Sequence, residues 1–226
     1  MDGKSTEVSV GAHRISVTVF GSGEPAVVIE PAFGGSAQSW HAIAGTLGEQ
    51  TTVVTYDRAP YGTSSRAADH RTPAEIAADL HGVLEAAAIT RPVVLLGHSA
   101  GGVCVRAFAG LYAAEVAGMV LVDSSHEAQE QVLRGALPWR VRVLEALTVP
   151  MLVALPRRMR NGADRRSIVR EFRSIKALTA ADQSLTAGAL GGKPLVVLTR
   201  GPATSAVVRA ATSSPASPAT IFTGAN

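Results

Sequence analysis

The sequence predicts an α/β fold: a mostly parallel, doubly wound sheet with an antiparallel N-terminal hairpin and a helical cap insertion. Three observations carry this. Short apolar runs rich in β-branched residues alternate with helical patterns along residues 26–122, as buried parallel strands alternate with their crossover helices. The segment from Glu7 to Phe20 instead alternates apolar and polar residues, broken at Gly11-Ala12, which reads as a half-buried hairpin. Between Val122 and Pro194 strand patterns vanish, and eleven Arg and Lys stand against six acids among Leu, Val and Met in residues 127–190. That stretch reads as a helical insertion.

Each element has its own signal. In the hairpin, Val8 and Val10, then Ile15, Val17 and Val19, mark one buried face. Gly21 to Pro25 is a turn, and Ala26 to Ile29 is a buried strand. A glycine-bearing loop, Pro31-Ala32-Phe33-Gly34-Gly35-Ser36, leads to a helix over Trp40 to Leu47. Thr51 to Tyr56 is the next strand, ending in Asp57-Arg58-Ala59-Pro60-Tyr61-Gly62-Thr63-Ser64. Thr72-Pro73-Ala74-Glu75 has the form of a capping box with proline at the first helical position. The helix it starts turns Ile76, Leu80, Val83, Leu84 and Ala87 inward. Pro92 to Gly97 and Met119 to Val122 are two more buried strands, the second closing on Asp123-Ser124-Ser125-His126. Pro194 to Thr199 is the last convincing strand. After Gly201 the chain turns to Ala, Ser, Thr and Pro, so 210–226 reads as a disordered tail on a single domain of residues 1–209.

Composition narrows the function classes. The 226 residues are long enough for one sizeable core, and a hydrophobic share of 46% says globular. A net charge of only +3, with no basic run beside stacking aromatics, speaks against nucleic acid as a partner. No stretch approaches the length of a membrane span, and no charged start followed by an apolar run suggests a secretory signal. Cys104 is the single cysteine, which excludes an internal disulfide and suits a reducing, cytoplasmic setting. No cofactor or metal motif is legible, which leaves a small-molecule substrate as the expected partner.

The chemistry-bearing stretch is Gly97-His98-Ser99-Ala100-Gly101-Gly102. It follows a strand and precedes a helix pattern in which Val103, Ala107 and Leu111 share one face, with Cys104 and Phe108 beside them. G-x-S-x-G between strand and helix is the nucleophile elbow: a sharp, strained turn that exposes a serine hydroxyl at a helix N-terminus. There, N–H groups and the helix dipole favour developing negative charge. Ligands in doubly wound sheets bind outside the carboxyl ends of the strands, and Phe33, Asp57, Ser99 and Asp123 all fall at such ends.

Together, G-H-S-A-G-G after a strand, Y-D-R-A-P-Y-G-T-S after the preceding strand and the Gly-Gly-Ser…Trp loop after Ile29 resemble the α/β-hydrolase superfamily, from about Val8 to Arg200. The resemblance implies a serine hydrolase with Ser99 as nucleophile and the backbone N–H of Ala100 and Phe33 as oxyanion donors. It implies an acid after Ser99, for which Asp123 is the candidate beside the plainer reading that it caps the following turn, and then a histidine base. No Asp or Glu follows Asp182 and no His follows His126, so the family's last strand and its histidine are expected to be missing. His126 is expected to touch substrate or to serve the structure ahead of acting as the base, and Trp139 to touch substrate in an apolar cap stretch that also suits plain packing on the sheet domain or contact with a membrane surface. Asp57 and Arg58 are expected to brace their loop. The implied reaction is hydrolysis of an ester, thioester or amide. The alternatives are a catalytically incomplete hydrolase-like protein, a cofactor-free oxidoreductase or acyltransferase, and a partner-binding domain.

Overall fold

A computed structural model describes residues 2–65, 72–125, 147, 150–156, 159, 165–176, 188 and 190–199, and the strand backbones at 207–211 and 221–223. The chain opens with β1 (Lys4–Val10) and β2 (His13–Phe20), an antiparallel hairpin pairing Val10 with His13. Gly11 turns it at φ +55°, a conformation that costs glycine little. Strand β3 (Val27–Glu30) leads through a 3₁₀ turn, Ala37–Trp40, into α1 (His41–Leu47), and then to β4 (Val53–Tyr56). Helix α2 (Pro73–Ala86) follows, then β5 (Val93–His98), α3 (Gly101–Leu111) and β6 (Val116–Val122). Helix α4 (Arg165–Lys176) precedes β7 (Leu195–Thr199).

The capping box forms as its sequence dictates. Glu75 N–H donates to the Thr72 hydroxyl at 3.2 Å, and Thr72 N–H donates to the Glu75 carboxylate at 2.7 Å. Each satisfies an N–H that the first helical turn would otherwise leave unpaired. Strands β3, β4, β5, β6 and β7 run parallel in the order β4-β3-β5-β6-β7, while β1 and β2 extend the β4 edge antiparallel. The two faces of the sheet carry separate cores. Helices α2 and α3 cover one face with Leu80, Val83, Leu84, Val105 and Phe108 against Val17, Val28, Val54, Leu95 and Met119. The other face buries Phe20, Ile29, Ala44, Val53 and Leu96 beneath α1. Cys104 is buried in α3, and desolvation pushes its thiol well above the usual range, which suits packing and not reaction.

From β3 the chain steps outward to β4, whereas from β5 it steps the other way to β6. The direction in which the chain steps along the sheet therefore reverses between β3 and β5, and in sheets of this kind ligands bind outside the carboxyl ends of the strands at such a point. Among the described residues no helix is long and apolar enough to cross a membrane.

Two features depart from the sequence reading. Leu111 is 43% exposed although it continues the apolar stripe of α3. It is the last residue of the helix, and Tyr112 takes the place beyond it, its ring 5.0 Å from Phe108 and stacked at 4.2 Å on His81. Pairing also continues past β7. Strands β8 (Val207–Ala211) and β9 (Ile221–Thr223) add antiparallel to it, so the segment read as a disordered tail contains ladder residues. Composition hid them: Val207-Val208 and Ile221-Phe222 are islands of β-formers in an Ala/Ser/Thr/Pro background, and the open edge of β7 offers them a template. Within 127–190, residues 150–154 and 165–176 are helical.

Candidate active site

The elbow is built by exclusion. Ser99 has φ +50°, a left-handed backbone that an L-residue adopts only at a cost, and one that marks functional turns. Its N–H donates to Val122 O at 3.1 Å, its carbonyl accepts from Ser125 N–H at 2.9 Å, and Gly102 N–H closes the helical turn onto the same carbonyl at 3.0 Å. Three glycines permit the turn. A Cβ on Gly97 would lie 2.6 Å from both Gly102 Cα and Val105 Cγ2. One on Gly101 would strike the carbonyls of Glu30 and Pro31, the latter at 2.6 Å. One on Gly102 would lie 2.6 Å from Ser124 Cβ. The motif's glycines are where strand, helix and neighbouring loops come too close to admit a side chain, at Gly101 backbone against backbone.

The hydrogen bonds to Ser99 bracket Asp123 and Ser124 and hold the end of β6 against the elbow. Asp123 sits at that strand end with φ +43°, and its N–H donates to Leu198 O at 2.7 Å. The structure therefore brings Ser99 and Asp123 to neighbouring strand ends. Ala100 is the N-cap of α3. Phe33 lies in the loop after β3. Among the described residues, neither the N–H of Phe33 nor that of Ala100 is spent on a backbone carbonyl. The His98 ring turns to the opposite face of β5 from the elbow helix and meets Trp40 edge-on at 5.6 Å. His126 and Trp139 lie outside the described residues.

A buried polar network lies against the end of β3 and the loop that follows it. Arg58, 4% exposed, donates through Nη1 to the Glu30 carboxylate and to Pro31 O at 2.7 Å. Through Nη2 it donates to Ala32 O at 3.0 Å and to Glu171 Oε1 at 2.7 Å. Tyr56 O–H donates to Glu30, and Tyr61 O–H donates to Glu171. Asp57 braces the same region from the side, accepting from Ala37 N–H at 2.8 Å and Thr63 N–H at 3.4 Å. On α4, Ile168 is buried against Tyr61, and the Phe172 ring lies 5.7 Å from that of Phe33.

Sequence reasoning placed Asp57 and Arg58 as braces but missed Glu30, Tyr56, Tyr61, Glu171 and Phe172. Two signals were present. Glu30 ends an otherwise apolar buried strand, and Glu171 is the only acid of α4 among Arg165, Arg166, Arg170, Arg173 and Lys176. A carboxylate in either setting needs a cation at hand.

Burial pushes the Glu30 carboxyl up from its ordinary range, against the opposing pull of Arg58 and the Tyr56 hydroxyl. The folded chain then keeps a proton that the unfolded chain has already released. The stability this contributes is complete below the ordinary carboxylate value and is lost as pH rises through the raised one. Urea midpoints followed across that window should fall with rising pH more steeply for this chain than for Glu30→Gln; parallel curves would contradict the assignment.

The family model described as alpha/beta hydrolase fold matches residues 25–167, well over half of the chain. The chain belongs to that family. Its fold is shared by a proposed epoxide hydrolase from Pseudomonas aeruginosa, with a TM-score of 0.67 at 23% identity, covering 89% of this chain and 80% of the other. It is shared too by a thermophilic esterase from Thermogutta terrifontis, with a TM-score of 0.63 at 23% identity, covering 86% and 79%. Among curated relatives, the uncharacterized protein YqjL of Bacillus subtilis is 30% identical over 103 residues. That match covers 46% of this chain and 41% of YqjL, so the chain spans less than half of that relative's length.

Proposed function

We propose that this α/β-hydrolase-family chain is a serine hydrolase acting on a small or acyl-chain ester, thioester or amide, in a reducing cytoplasmic setting. The observation that carries the reading is the Ser99 backbone at φ +50°, held between β5 and α3 by glycines that tolerate no Cβ. A strained serine contributes no packing, so its presentation at a helix N-terminus and at the carboxyl ends of the strands is best accounted for by chemistry. In this reading Ser99 Oγ attacks the substrate carbonyl carbon and loses its proton to a base. The carbonyl π pair moves to oxygen, where Ala100 N–H and Phe33 N–H stabilise the charge. The leaving group departs with the proton, and water then hydrolyses the acyl-serine. Asp123 orients the base, for which His126, the one histidine after Ser99 in the sequence, is the residue to test, and Trp139 contacts the substrate.

A second reading has one observation behind it. The imidazole adjacent to Ser99 is turned onto Trp40, and the sequence has no histidine after His126. A serine without a base is a weak nucleophile, and the chain is then a catalytically incomplete member of its family. Loss of the base in triad proteases lowers turnover by about six orders of magnitude, leaving three to four over water.

A fluorophosphonate ester separates the two. The first reading expects a stable phosphonate adduct located by peptide mass spectrometry on Ser99, absent in Ser99→Ala and slowed at least a hundredfold in His126→Ala. An adduct rate untouched by His126→Ala, with only feeble turnover of p-nitrophenyl esters, is the expectation of the second. Ester products other than the free acid would point to acyl transfer.

A further inference from the structure

We propose that Glu171 on α4 is a positioning residue for the loop 31–35, acting through Arg58, so that α4 and this loop open and close as one unit. The proposal rests on the serine-hydrolase reading only for what the loop does, namely to present Phe33 N–H to the substrate oxygen.

The path is continuous. Arg58 is a planar fork with two of its nitrogens divided between the loop and the helix. Nη2 alone binds Ala32 O at 3.0 Å and Glu171 at 2.7 Å, while Nη1 binds Glu30 and Pro31 O. The Ala32 carbonyl also accepts from Gly35 N–H at 2.9 Å, so the guanidinium holds one side of the turn that contains Phe33. A second strand of the path runs from Glu171 to the Tyr61 hydroxyl, which a backbone hydrogen bond from Gly34 also reaches. Phe172, the next residue of α4, places its ring against Phe33 itself.

Lifting α4 alone would leave Arg58 facing one carboxylate in place of two and would strip Glu171 of both partners. In a buried site, parting a charged pair costs far more than parting apolar contacts. The guanidinium therefore follows the helix or retains it, and the carbonyls of Pro31 and Ala32 follow the guanidinium. Access to the site and the readiness of the oxyanion donor become a single event, unlike a lid that swings over a rigid site.

Native-state hydrogen exchange tests the coupling without any activity. In the unmodified chain, the Gly35 amide and the amides of Glu171 and Phe172 should show one opening free energy and one urea dependence. Separate isotherms would overturn the proposal. In Glu171→Leu, Gly35 should exchange about tenfold faster than in the parent. In Glu171→Gln, which can still accept from Arg58, it should stay within about threefold. Ile168→Val, which leaves the Arg58 link intact, should loosen α4 and accelerate Gly35 with it. Acceleration of α4 with Gly35 unaltered, in Glu171→Leu or in Ile168→Val, would show that packing alone holds the helix and would overturn it.

The fluorophosphonate adds a chemical readout. Glu171→Leu should lower the maximal phosphonylation rate about tenfold with an unchanged half-saturating probe concentration, and Glu171→Gln should restore it. A changed half-saturating concentration at constant maximal rate would mean that Glu171 shapes the pocket and does not position the donor. Should Ser99 of the unmodified chain take no phosphonate, the serine-hydrolase reading fails, while the exchange arms still decide the coupling.

Discussion

Arg58→Met is expected to destabilise the chain by about 3–5 kcal/mol, the range found when one partner of a buried ion pair is removed. The substitution roughly preserves the length of the side chain but removes the cation from two carboxylates. Glu30 is fully buried and Glu171 is 6% exposed. The Pro31 and Ala32 carbonyls lose a donor at the same stroke. The variant's remaining escape is to protonate the acids, so its deficit should shrink as pH falls from 8 towards 5. Adding Glu30→Gln and Glu171→Leu to Arg58→Met should recover much of the loss, because the uncompensated charge and not the missing contact dominates. Urea unfolding at both pH values measures each term. A loss below about 1 kcal/mol for Arg58→Met at pH 8 would mean that the network is exposed to solvent in the working protein.

Gly101→Ala is expected to cost about 1–3 kcal/mol or more, the range for a methyl forced into a well-packed site. The methyl meets the carbonyls of Glu30 and Pro31, which are backbone atoms and cannot rotate away. Relief requires α3 to retreat from β3 or the end of β3 to shift, and either moves Phe33 relative to Ser99. The variant should therefore lose phosphonate labelling even at temperatures where it remains folded. Gly11→Ala is the comparison. Its Cβ meets nothing within 4 Å, so it pays only for φ +55°, about 1 kcal/mol, and should label normally. Equal losses in the two variants would show that backbone conformation, and not the contact between α3 and β3, sets the demand at Gly101.

Much of the fold was legible because its signals are local. Thr72 and Glu75 state their capping box in four residues, and the runs around Val28, Val54 and Leu95 are too apolar for anything but buried strands. The elbow was legible for the same reason: its glycines and serine are consecutive, and their steric purpose follows from the adjoining strand and helix. Strands β8 and β9 were not, because a strand added to an existing edge needs only a few β-formers and a partner that the one-dimensional pattern does not display. The Arg58 network was illegible for a related reason. Glu30, Arg58 and Glu171 stand 28 and 113 residues apart, and each alone looks like an ordinary charge. Only the meeting of two strand ends with α4 shows that one guanidinium serves both carboxylates. The aromatic contact between Phe33 and Phe172 is hidden in the same way, since it joins a loop to a helix read only as part of a basic, amphipathic insertion.

Cys104 offers a use that its inertness makes possible. As the chain's single sulfhydryl, sealed beneath α3 with its ionisation suppressed, it is silent to alkylating reagents in the closed molecule and visible once that helix parts from the sheet. A short pulse of iodoacetamide therefore stamps a fixed mass increment on every molecule open at that moment. The intact-mass spectrum becomes a head count of open and closed molecules in one sample, free of tags or fluorophores. Each substitution discussed above can be ranked in a crude lysate by the height of that second peak.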